Sequence, residues 1–447
     1  MKNSGVEWIG EIPEDWEVKP LTSLFSFGKG LPITKEDLKE NGIPVLSYGQ
    51  IHSKTNTGTN IQNDLLRYVD ESYLVSNPQS LVQRGDFIFA DTSEDLDGCG
   101  NCAYVNFDSK LFAGYHTVIL KSKDCSNNQY LAYLFKTDEW RKQIRAGLVE
   151  VKLYSISRKV LKKSSVILPP KSTQQRIASY LDKKCSKIEE TIQNQQQVIE
   201  KLKAYKQSLI TEAVTGKVKI ENGKVCGKYE NYKDSGVEYL GKIPSNWNVK
   251  RLRYIGKCQN GISKGGEFFG SGYPFVSYGD VYNNLTLPET VSGLIESTPE
   301  EQENYSVTAG DIFFTRTSET IEEVGFTSVC LKTIEKATFA GFVIRVRPFT
   351  DELLPGFSKY YFSSDAHRRF FVKEMNLVTR ASLSQELLKR LPVLIPSKEE
   401  QKSIADYLDK KCIAIDNAIE QKQKLIEKLT EYKKSLIYEC VTGKRIV

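Results

Sequence analysis

The feature of this sequence that most constrains its fold is an internal duplication. The segment Ser4–Leu21, SGVEWIGEIPEDWEVKPL, returns at Ser235–Leu252 as SGVEYLGKIPSNWNVKRL. The hexapeptide YLDKKC likewise begins at Tyr180 and again at Tyr407. Self-similarity over such a distance indicates two copies of one structural arrangement. We therefore expect two similar halves rather than one large domain.

The spacing between the two copies changes along the chain. Ser4 and Ser235 are 231 positions apart, whereas Tyr180 and Tyr407 are 227 apart. The tripeptide FAG, at Phe112 and Phe339, already has the spacing of 227. The sequence thus predicts that all length change falls between the opening segment and about residue 112, so that two constant frameworks each enclose one variable segment.

Each copy reads as an α+β domain followed by a long helix. Short β-type runs are bounded by turn residues, which is typical of strands, and helical patterns and a proline-marked helix start follow them. The predicted strands are Ile43–Tyr48, Tyr273–Tyr278, Asp86–Ala90 and Asp311–Thr315, and the predicted shorter helices lie around Tyr130–Ala146 and Lys359–Met375.

The two long helices carry apolar residues at alternating steps of four and three, which is a heptad seam. The seam positions are Leu181, Ile188, Ile192, Ile199, Leu202 and Leu209 in the first copy and Leu408, Ile415, Ile419, Ile426, Leu429 and Leu436 in the second. About 40 helical residues span roughly 60 Å. A buried amphipathic helix is the alternative, but four heptads with charged flanks favour a coiled coil. Pairing between the copies, antiparallel about a pseudo-two-fold axis, would place the two globular domains at opposite ends of a rod.

These patterns divide the chain into five segments. The predicted boundaries are 1–168 for the first globular domain, 169–216 for the first long helix, 217–233 for a polar linker, 234–395 for the second globular domain and 396–447 for the second long helix.

No catalytic or metal-binding motif is convincing. The chain has no phosphate-binding loop and no HExxH motif, and only three histidines are available for acid–base work. Cys99 and Cys102 form a CxxC, but no second pair completes a zinc site, so a plain pair of loop thiols is the simpler interpretation. We expect no catalytic residue, no metal site and no cofactor in this chain. Without a signal peptide or an apolar stretch of membrane length, a cytoplasmic location is expected.

At this point the motifs resemble a known family. The opening motif, RGDFIF at Arg84, AGDIFF at Ala309, the helix opening PxxxQxxIAxxLD and the ending VTGK are similar to the specificity (S) subunit of type I restriction-modification systems. One departure is that the first helix opens with Gln174-Gln175, where the family favours the Glu-Gln found at Glu400-Gln401. The resemblance covers nearly the whole chain.

The resemblance implies two target-recognition domains that each read one half of a split double-stranded DNA sequence. It also implies that the helices set the spacing and dock two methyltransferase (M) subunits, which would carry S-adenosylmethionine; it leaves a restriction (R) subunit open. The alternative is a cytosolic coiled-coil scaffold whose globular ends bind proteins. The mild excess of 62 Lys+Arg over 56 Asp+Glu permits either function.

Candidate DNA contacts follow strand ends or lie in polar loops. In the first domain they are Lys29, Lys35, Tyr48, Gln50, Asp91 and Thr92, and in the second Lys264, Tyr278, Asp280, Arg316 and Thr317. Asp91 and Arg316 occupy matching positions with opposite charge, which a framework position should not do. Arg can bind guanine bidentately and Asp can accept a hydrogen bond from cytosine. A solvated loop charge is the alternative for both. Arg141 and Arg368 match each other and therefore suit a scaffold role or a phosphate contact.

Overall fold

The structure is a computed structural model that describes residues 1–447 except 7, 125–127, 149–152, 319, 321–322 and 375–380. The chain divides into two units. Unit 1 comprises Met1–Gln195 with Lys424–Val447, and unit 2 comprises Gln196–Gln423. Each unit therefore holds one globular domain together with part of both long helices.

Unit 1 contains the first fourteen strands and six short helices. The strands are β1 Lys2–Asn3, β2 Glu11–Ile12, β3 Glu17–Pro20, β4 Phe25–Lys29, β5 Ile43–Leu46, β6 Arg67–Val69, β7 Leu81–Val82, β8 Phe87–Ala90, β9 Thr92–Ser93, β10 Cys102–Tyr104, β11 Leu111–Ala113, β12 Thr117–Ser122, β13 Tyr154–Ser155 and β14 Ser165–Leu168. The helices are α1 Leu21–Leu24, α2 Tyr48–Ile51, α3 Tyr73–Ser76, α4 Gln129–Phe135, α5 Asp138–Arg145 and α6 Arg158–Lys163, and the long helix α7 spans Lys171–Val214.

Unit 2 repeats this arrangement. Its strands are β15 Lys219–Glu221, β16 Lys224–Gly227, β17 Tyr232–Asp234, β18 Lys242–Pro244, β19 Asn248–Arg251, β20 Gly256–Asn260, β21 Phe269–Val276, β22 Leu294–Ile295, β23 Ile312–Thr315, β24 Thr317–Ser318, β25 Thr327–Val329, β26 Thr338–Phe339, β27 Val343–Pro348, β28 Ala381–Ser382 and β29 Pro392–Ile395. The helices are α8 Tyr278–Asn283, α9 Pro299–Asn304, α10 Pro355–Ser363, α11 Asp365–Glu374 and α12 Gln385–Lys389, and the long helix α13 spans Lys398–Val441.

The central sheets of the two units have the same strand order. In unit 1 the order is β10-β8-β12-β4, and in unit 2 it is β25-β23-β27-β20. The inner strands are apolar and fully buried, as in FIFA of β8 and IFFT of β23, because each sheet is covered on both faces. The predicted α+β class and the internal duplication are both confirmed.

The hydrogen-bond register corrects the spacing read from the sequence. Phe112 pairs with Val45 in unit 1, and the equivalent of Val45 in the second copy, Phe275, pairs with Thr338. Phe112 therefore corresponds to Thr338 and not to Phe339, so the repeated FAG is out of structural register by one residue. The prediction that all length change precedes residue 112 is wrong, because the spacing of 227 returns only at the following helices.

The helical region after the sheet is broken in both copies. The sequence pattern predicts helical structure around Tyr130–Ala146, and the structure divides it into α4, which ends at Phe135, and α5, which begins at Asp138. Thr137 lies between them and accepts a hydrogen bond from the Trp140 amide, which is typical of a helix N-cap. In unit 2 the corresponding break lies at Ser364; Met375, the predicted end, falls outside the described residues.

The long helices pair antiparallel within each unit. In unit 1, Lys433 of α13 forms an ion pair with Glu189 of α7. In unit 2, Lys206 of α7 lies 2.6 Å from Asp416 of α13. These are equivalent pairs under the duplication, and all twelve predicted seam side chains are buried or half-buried. In both units, therefore, a lysine of one long helix pairs with a carboxylate on the facing helix.

The end of each long helix packs against an opening segment. In unit 2, the turn at Gly216 after α7 lies against Pro244 and Trp247, and in unit 1 the turn at Gly443 after α13 lies against Pro13 and Trp16. The predicted polar linker contains a hairpin, β15 with β16, whose turn residues Asn222 and Gly223 have φ of 50° and 69°. Two consecutive positive φ values at Asn-Gly are the signature of a type I′ turn.

Candidate nucleic-acid interface

A small cluster of side chains lies at the same place in each unit, where the central strand ends. Asp91 follows β8, and its backbone amide donates to the His116 carbonyl at 3.0 Å. Arg316 follows β23, and its amide donates to the Phe342 carbonyl at 2.9 Å. We name Tyr48, Asp91 and His116 the unit 1 platform, and Tyr278, Arg316 and Phe342 the unit 2 platform.

The unit 1 platform joins an acidic, a basic and an aromatic group. His116 Nδ1 lies 3.3 Å from Asp91 Oδ1. The ring of Tyr48 lies edge-on to His116 at 5.3 Å and to Tyr115 at 5.6 Å between centroids. Such edge-to-face contacts are favourable for aromatic pairs. The imidazole is therefore held from two sides while more than half of it, 58%, remains exposed.

A cavity of about 710 Å³ opens beside the unit 1 platform. His52 lines it and is fixed by two hydrogen bonds: its Nε2 lies 2.8 Å from the Thr92 carbonyl, and its Nδ1 lies 3.1 Å from the Asn101 amide nitrogen. A carbonyl can only accept, so the Nε2 of His52 supplies the hydrogen of the bond to Thr92. Three carboxylates, of Glu94, Asp95 and Asp97, also line this cavity.

The unit 2 platform has the opposite chemistry. Arg316 replaces the acid, and Phe342, which is 63% exposed, replaces the histidine. Tyr278 donates its hydroxyl to the Thr317 carbonyl at 2.9 Å and stacks on Tyr282 at 5.8 Å. A guanidinium presents only hydrogen-bond donors, whereas the three carboxylates that line the unit 1 cavity accept. The same framework therefore carries groups of opposite hydrogen-bonding character in the two units.

Two of the predicted DNA contacts serve the framework. Gln50 and Asp280 are equivalent residues at the third position of α2 and α8. The Gln50 Oε1 accepts from the Ser47 amide at 3.2 Å, and the Asp280 Oδ2 accepts from the Ser277 amide at 2.8 Å. This is the capping-box arrangement, which satisfies amides at a helix start. Both side chains are engaged in holding the helix that carries the platform tyrosine.

The predicted lysines differ in their availability. Lys29 and Lys35 are exposed. Lys264, in contrast, is only 14% exposed in its side chain, because its ammonium lies 2.6 Å from Glu301 and 5.1 Å from the centre of the Phe268 ring. A phosphate would have to replace Glu301 to reach Lys264.

The two predicted threonines lie on short strands. Thr92 pairs with Ser155 across β9 and β13, and Thr317 pairs with Ser382 across β24 and β28. Both threonines are half-buried and directly follow the platform residues Asp91 and Arg316.

The matching arginines, Arg141 and Arg368, each donate a hydrogen bond to a main-chain carbonyl of their own unit. Arg141 Nε donates to the Phe135 carbonyl at 2.9 Å, and Arg368 donates to the Val324 carbonyl. Burial lowers the pKa of the Arg141 guanidinium. These contacts support the scaffold role that the sequence match suggested.

Sequence reasoning did not identify His116, His52 or Phe342. The sequence spacing of 227 matches His116 to Val343, which is fully buried, so the position looks like part of the core. Only the strand register, which equates His116 with Phe342, shows that the two residues share an exposed position. A signal was available in the scarcity of histidine, since two of the three histidines belong to this one site.

The thiols and the remaining side chains do not form a metal centre. Cys99 and Cys102 are both buried and reduced, and burial raises the pKa of Cys102 to about 12. Within the described ranges, no group of His, Cys, Asp and Glu has the arrangement that holds a metal ion. None of the helices described is both long and apolar enough to cross a membrane.

Comparisons with known proteins place this architecture. The family model described as Type I restriction modification DNA specificity domain matches twice, at residues 13–204 and 244–431. The specificity subunit of the type I restriction enzyme EcoKI from Escherichia coli K12 is 22% identical over 97% of this chain and 90% of its own length. The putative MjaX specificity subunit of Methanocaldococcus jannaschii is 25% identical over 98% and 95%.

Solved structures share the fold at low identity. A chain from a structural study of complex assembly and conformational transition in the type I R-M system has a TM-score of 0.70 at 16% identity, and it covers 97% of this chain and 100% of its own. The HsdS subunit of Thermoanaerobacter tengcongensis has a TM-score of 0.52 at 15% identity, with coverage of 97% and 98%. Since the family model covers most of both copies, this chain belongs to the type I restriction-modification DNA specificity family.

Proposed function

We propose that this chain reads a split DNA target through its two platforms and recruits methyltransferase subunits to it, without catalysing a reaction itself. The observation that carries the proposal is the divergence of the platforms. Asp91 and His116 of unit 1 occupy the positions that Arg316 and Phe342 occupy in unit 2. The strand order and the helix pairing are the same in both units. Sequence readout requires such variation in polar groups on a constant scaffold.

In this proposal the methyl transfer is catalysed by partner subunits and not by this chain. Two M subunits would bind S-adenosylmethionine and methylate adenine at N6 after extruding it from the duplex. An R subunit is a further proposed partner. Purified alone, the chain should neither methylate nor cleave DNA, whereas its complex with two M subunits should methylate a bipartite motif. Methyl transfer by the isolated chain would contradict the proposal.

A methylome comparison tests the readout. Sequencing the DNA of a host with the intact gene set and with this gene deleted should reveal one bipartite motif that depends on the gene. Replacing residues 29–110 with the equivalent segment of a homologue should change one half of that motif and leave the other unchanged. A change in both halves would show that the units do not read independently.

Salt dependence separates this function from a protein-binding scaffold. Affinity for DNA that contains the motif should fall steeply as salt rises, since phosphate contacts release counterions. It should also exceed the affinity for a scrambled duplex at every salt concentration. Equal affinity for the two duplexes would favour the scaffold.

We further propose that the helices set the distance between half-sites. Four residues inserted after Leu202 advance the helix by about 6 Å and slightly more than one turn, so the seam is nearly preserved. The methylated motif should then gain one or two base pairs of spacer. Two inserted residues turn the seam by roughly 200° and should abolish methylation. Efficient methylation with the original spacer in the four-residue variant would show that other elements set the distance.

A further inference from the structure

The unit 1 platform contains a carboxylate that is directed into the protein. Asp91 Oδ1 is buried, and no hydrogen bond to it is found among the residues that the structure describes. A buried carboxylate oxygen is costly unless a donor reaches it. The imidazole of His116, with Nδ1 at 3.3 Å, can supply that donor. The side chain of Asp91 is 25% exposed and that of His116 is 58% exposed, so the histidine is the outward member of the pair.

His116 is held in an unusual backbone conformation. Its φ is +53°, in the left-handed region that non-glycine residues rarely occupy. The Asp91 amide is bonded to the His116 carbonyl, and the Tyr48 amide donates to the Tyr115 carbonyl at 3.3 Å. Hydrogen bonds thus hold the backbone carbonyls of both Tyr115 and His116. Strain of this kind persists where the surroundings impose it, and it is enriched at functional sites.

In this arrangement one edge of the imidazole faces Asp91 and the other faces away from it. The Nδ1 edge of the ring faces the Asp91 carboxylate at 3.3 Å, so the other nitrogen, Nε2, lies on the opposite edge of an exposed ring. A neutral ring at Nε2 accepts a hydrogen bond, as from the amino group of adenine or cytosine. A protonated ring donates one, as to guanine N7 or O6. Either form reads a base edge through a single, oriented atom.

We propose that His116 is the base-contacting residue of unit 1 and that Asp91 is its positioning residue. This inference rests on the proposed function and deepens it, because it reassigns the contact that the sequence attributed to Asp91. In unit 2 the assignment is the reverse. Arg316 has no side-chain hydrogen bond within the described part of the chain and carries the polar contact, while Phe342 supplies an apolar neighbour suited to a thymine methyl group.

The test uses the full chain with its M subunits and reads the methylated motif in cells. His116→Gly removes the imidazole and accepts a positive φ without strain. It should relax the preference at one position of one half-site by roughly tenfold to a hundredfold, the usual effect of losing a good base contact. His116→Asn, which also tolerates this conformation, should change the base preferred at the same position. An unaltered motif in both variants would overturn the inference.

A double-mutant cycle tests the positioning role of Asp91. Asp91→Asn should weaken the preference at the same position as His116→Gly, and the double variant should behave as His116→Gly alone. An additional loss in the double variant would mean that Asp91 contacts a base itself and would overturn its role as a positioning residue. A merely structural role would weaken methylation at all sites without relaxing one position.

Arg316→Ala provides the matched control, since it should relax the other half-site only. Failure of the inference is distinguishable from failure of the proposed function. If the wild-type chain with its M subunits produces no bipartite methylation, the proposed function fails. If it does and the His116 variants retain the motif, only the inference fails.

Discussion

The two units stabilise equivalent buried positions with different side chains. Asp86 and Asp311 are equivalent buried carboxylates at the start of the central strand. Asp86 accepts from the backbone amides of Gln83 and Ser122, each at 2.9 Å. Asp311 keeps the first of these bonds, from the Thr308 amide at 2.8 Å, but its second donor is Arg347, with contacts of 2.7 and 2.6 Å. A position can thus be constant in residue type while the groups that stabilise it change.

A second pair shows a change of residue type inside the core. Trp140 of unit 1 donates its indole N–H to the Ser165 carbonyl at 3.0 Å. His367 occupies the equivalent position in unit 2, where the rings of Phe314, Phe362 and Phe371 surround it. Neither nitrogen of His367 has a hydrogen-bond partner among the described residues. At this core position unit 2 therefore has an imidazole without a hydrogen bond among the described residues, where unit 1 has a hydrogen-bonded indole.

Of the changes considered, removal of Arg347 should have the largest effect on stability. Arg347→Met leaves the buried Asp311 with only its bonds from Thr308, and we expect unit 2 to lose about 3 kcal/mol of stability. The equivalent change in unit 1, Lys121→Met, should cost less than about 1 kcal/mol, because backbone amides hold Asp86. Hydrogen exchange of β23 and β8 measures the two effects separately. Equal losses would show that the two carboxylates depend on their cations alike.

Acid should distinguish the two cores. Burial lowers the pKa of His367 to about 3, against about 6.5 in an unfolded chain. Because the pKa of His367 is lower in the folded than in the unfolded state, the neutral ring contributes its full stability above pH 6.5. The free energy of unfolding of unit 2 then decreases as the pH falls toward 3. At pH 5 unit 2 should lose about 2 kcal/mol through this group.

The control for the acid prediction is His367→Phe, which keeps an aromatic ring in the cage and removes the titration. Hydrogen exchange of α11 at pH 7.5 and pH 5, corrected for intrinsic rates, should show the loss in the wild type and not in the variant. The same pH dependence in the variant would assign the effect to other groups.

The helix pairs should show the smallest effect, and it should be the same in both units. Lys206→Ala and Lys433→Ala each remove a partly exposed ion pair, for which we expect about 0.5–1 kcal/mol. The exchanged pair Lys206→Asp with Asp416→Lys should recover part of the loss. Thermal unfolding measures both. A much larger loss for one lysine would show that the two helix contacts are not equivalent.

Much of the fold follows from local sequence patterns. The predicted strands Ile43–Tyr48 and Asp86–Ala90 are close to the observed β5 and β8, and the long helices lie where the heptads predict them. Local patterns succeed here because the period of apolar residues and the turn residues act over a few positions. No local pattern predicts the break at Thr137, because a threonine that caps a helix cannot be told by its residue type from any other threonine in an amphipathic pattern.

The duplication, the family, the two long helices and the reversal of charge between Asp91 and Arg316 all follow from residue identity and spacing along the chain. The tertiary structure alone shows that His116 corresponds to Phe342, because a one-residue shift between the copies is defined by strand hydrogen bonds between distant segments. It also decided that Asp91 is directed toward His116 while Lys264 is held by Glu301. Such pairings join residues 25 to 37 positions apart, and no local pattern encodes which side chains a fold brings together.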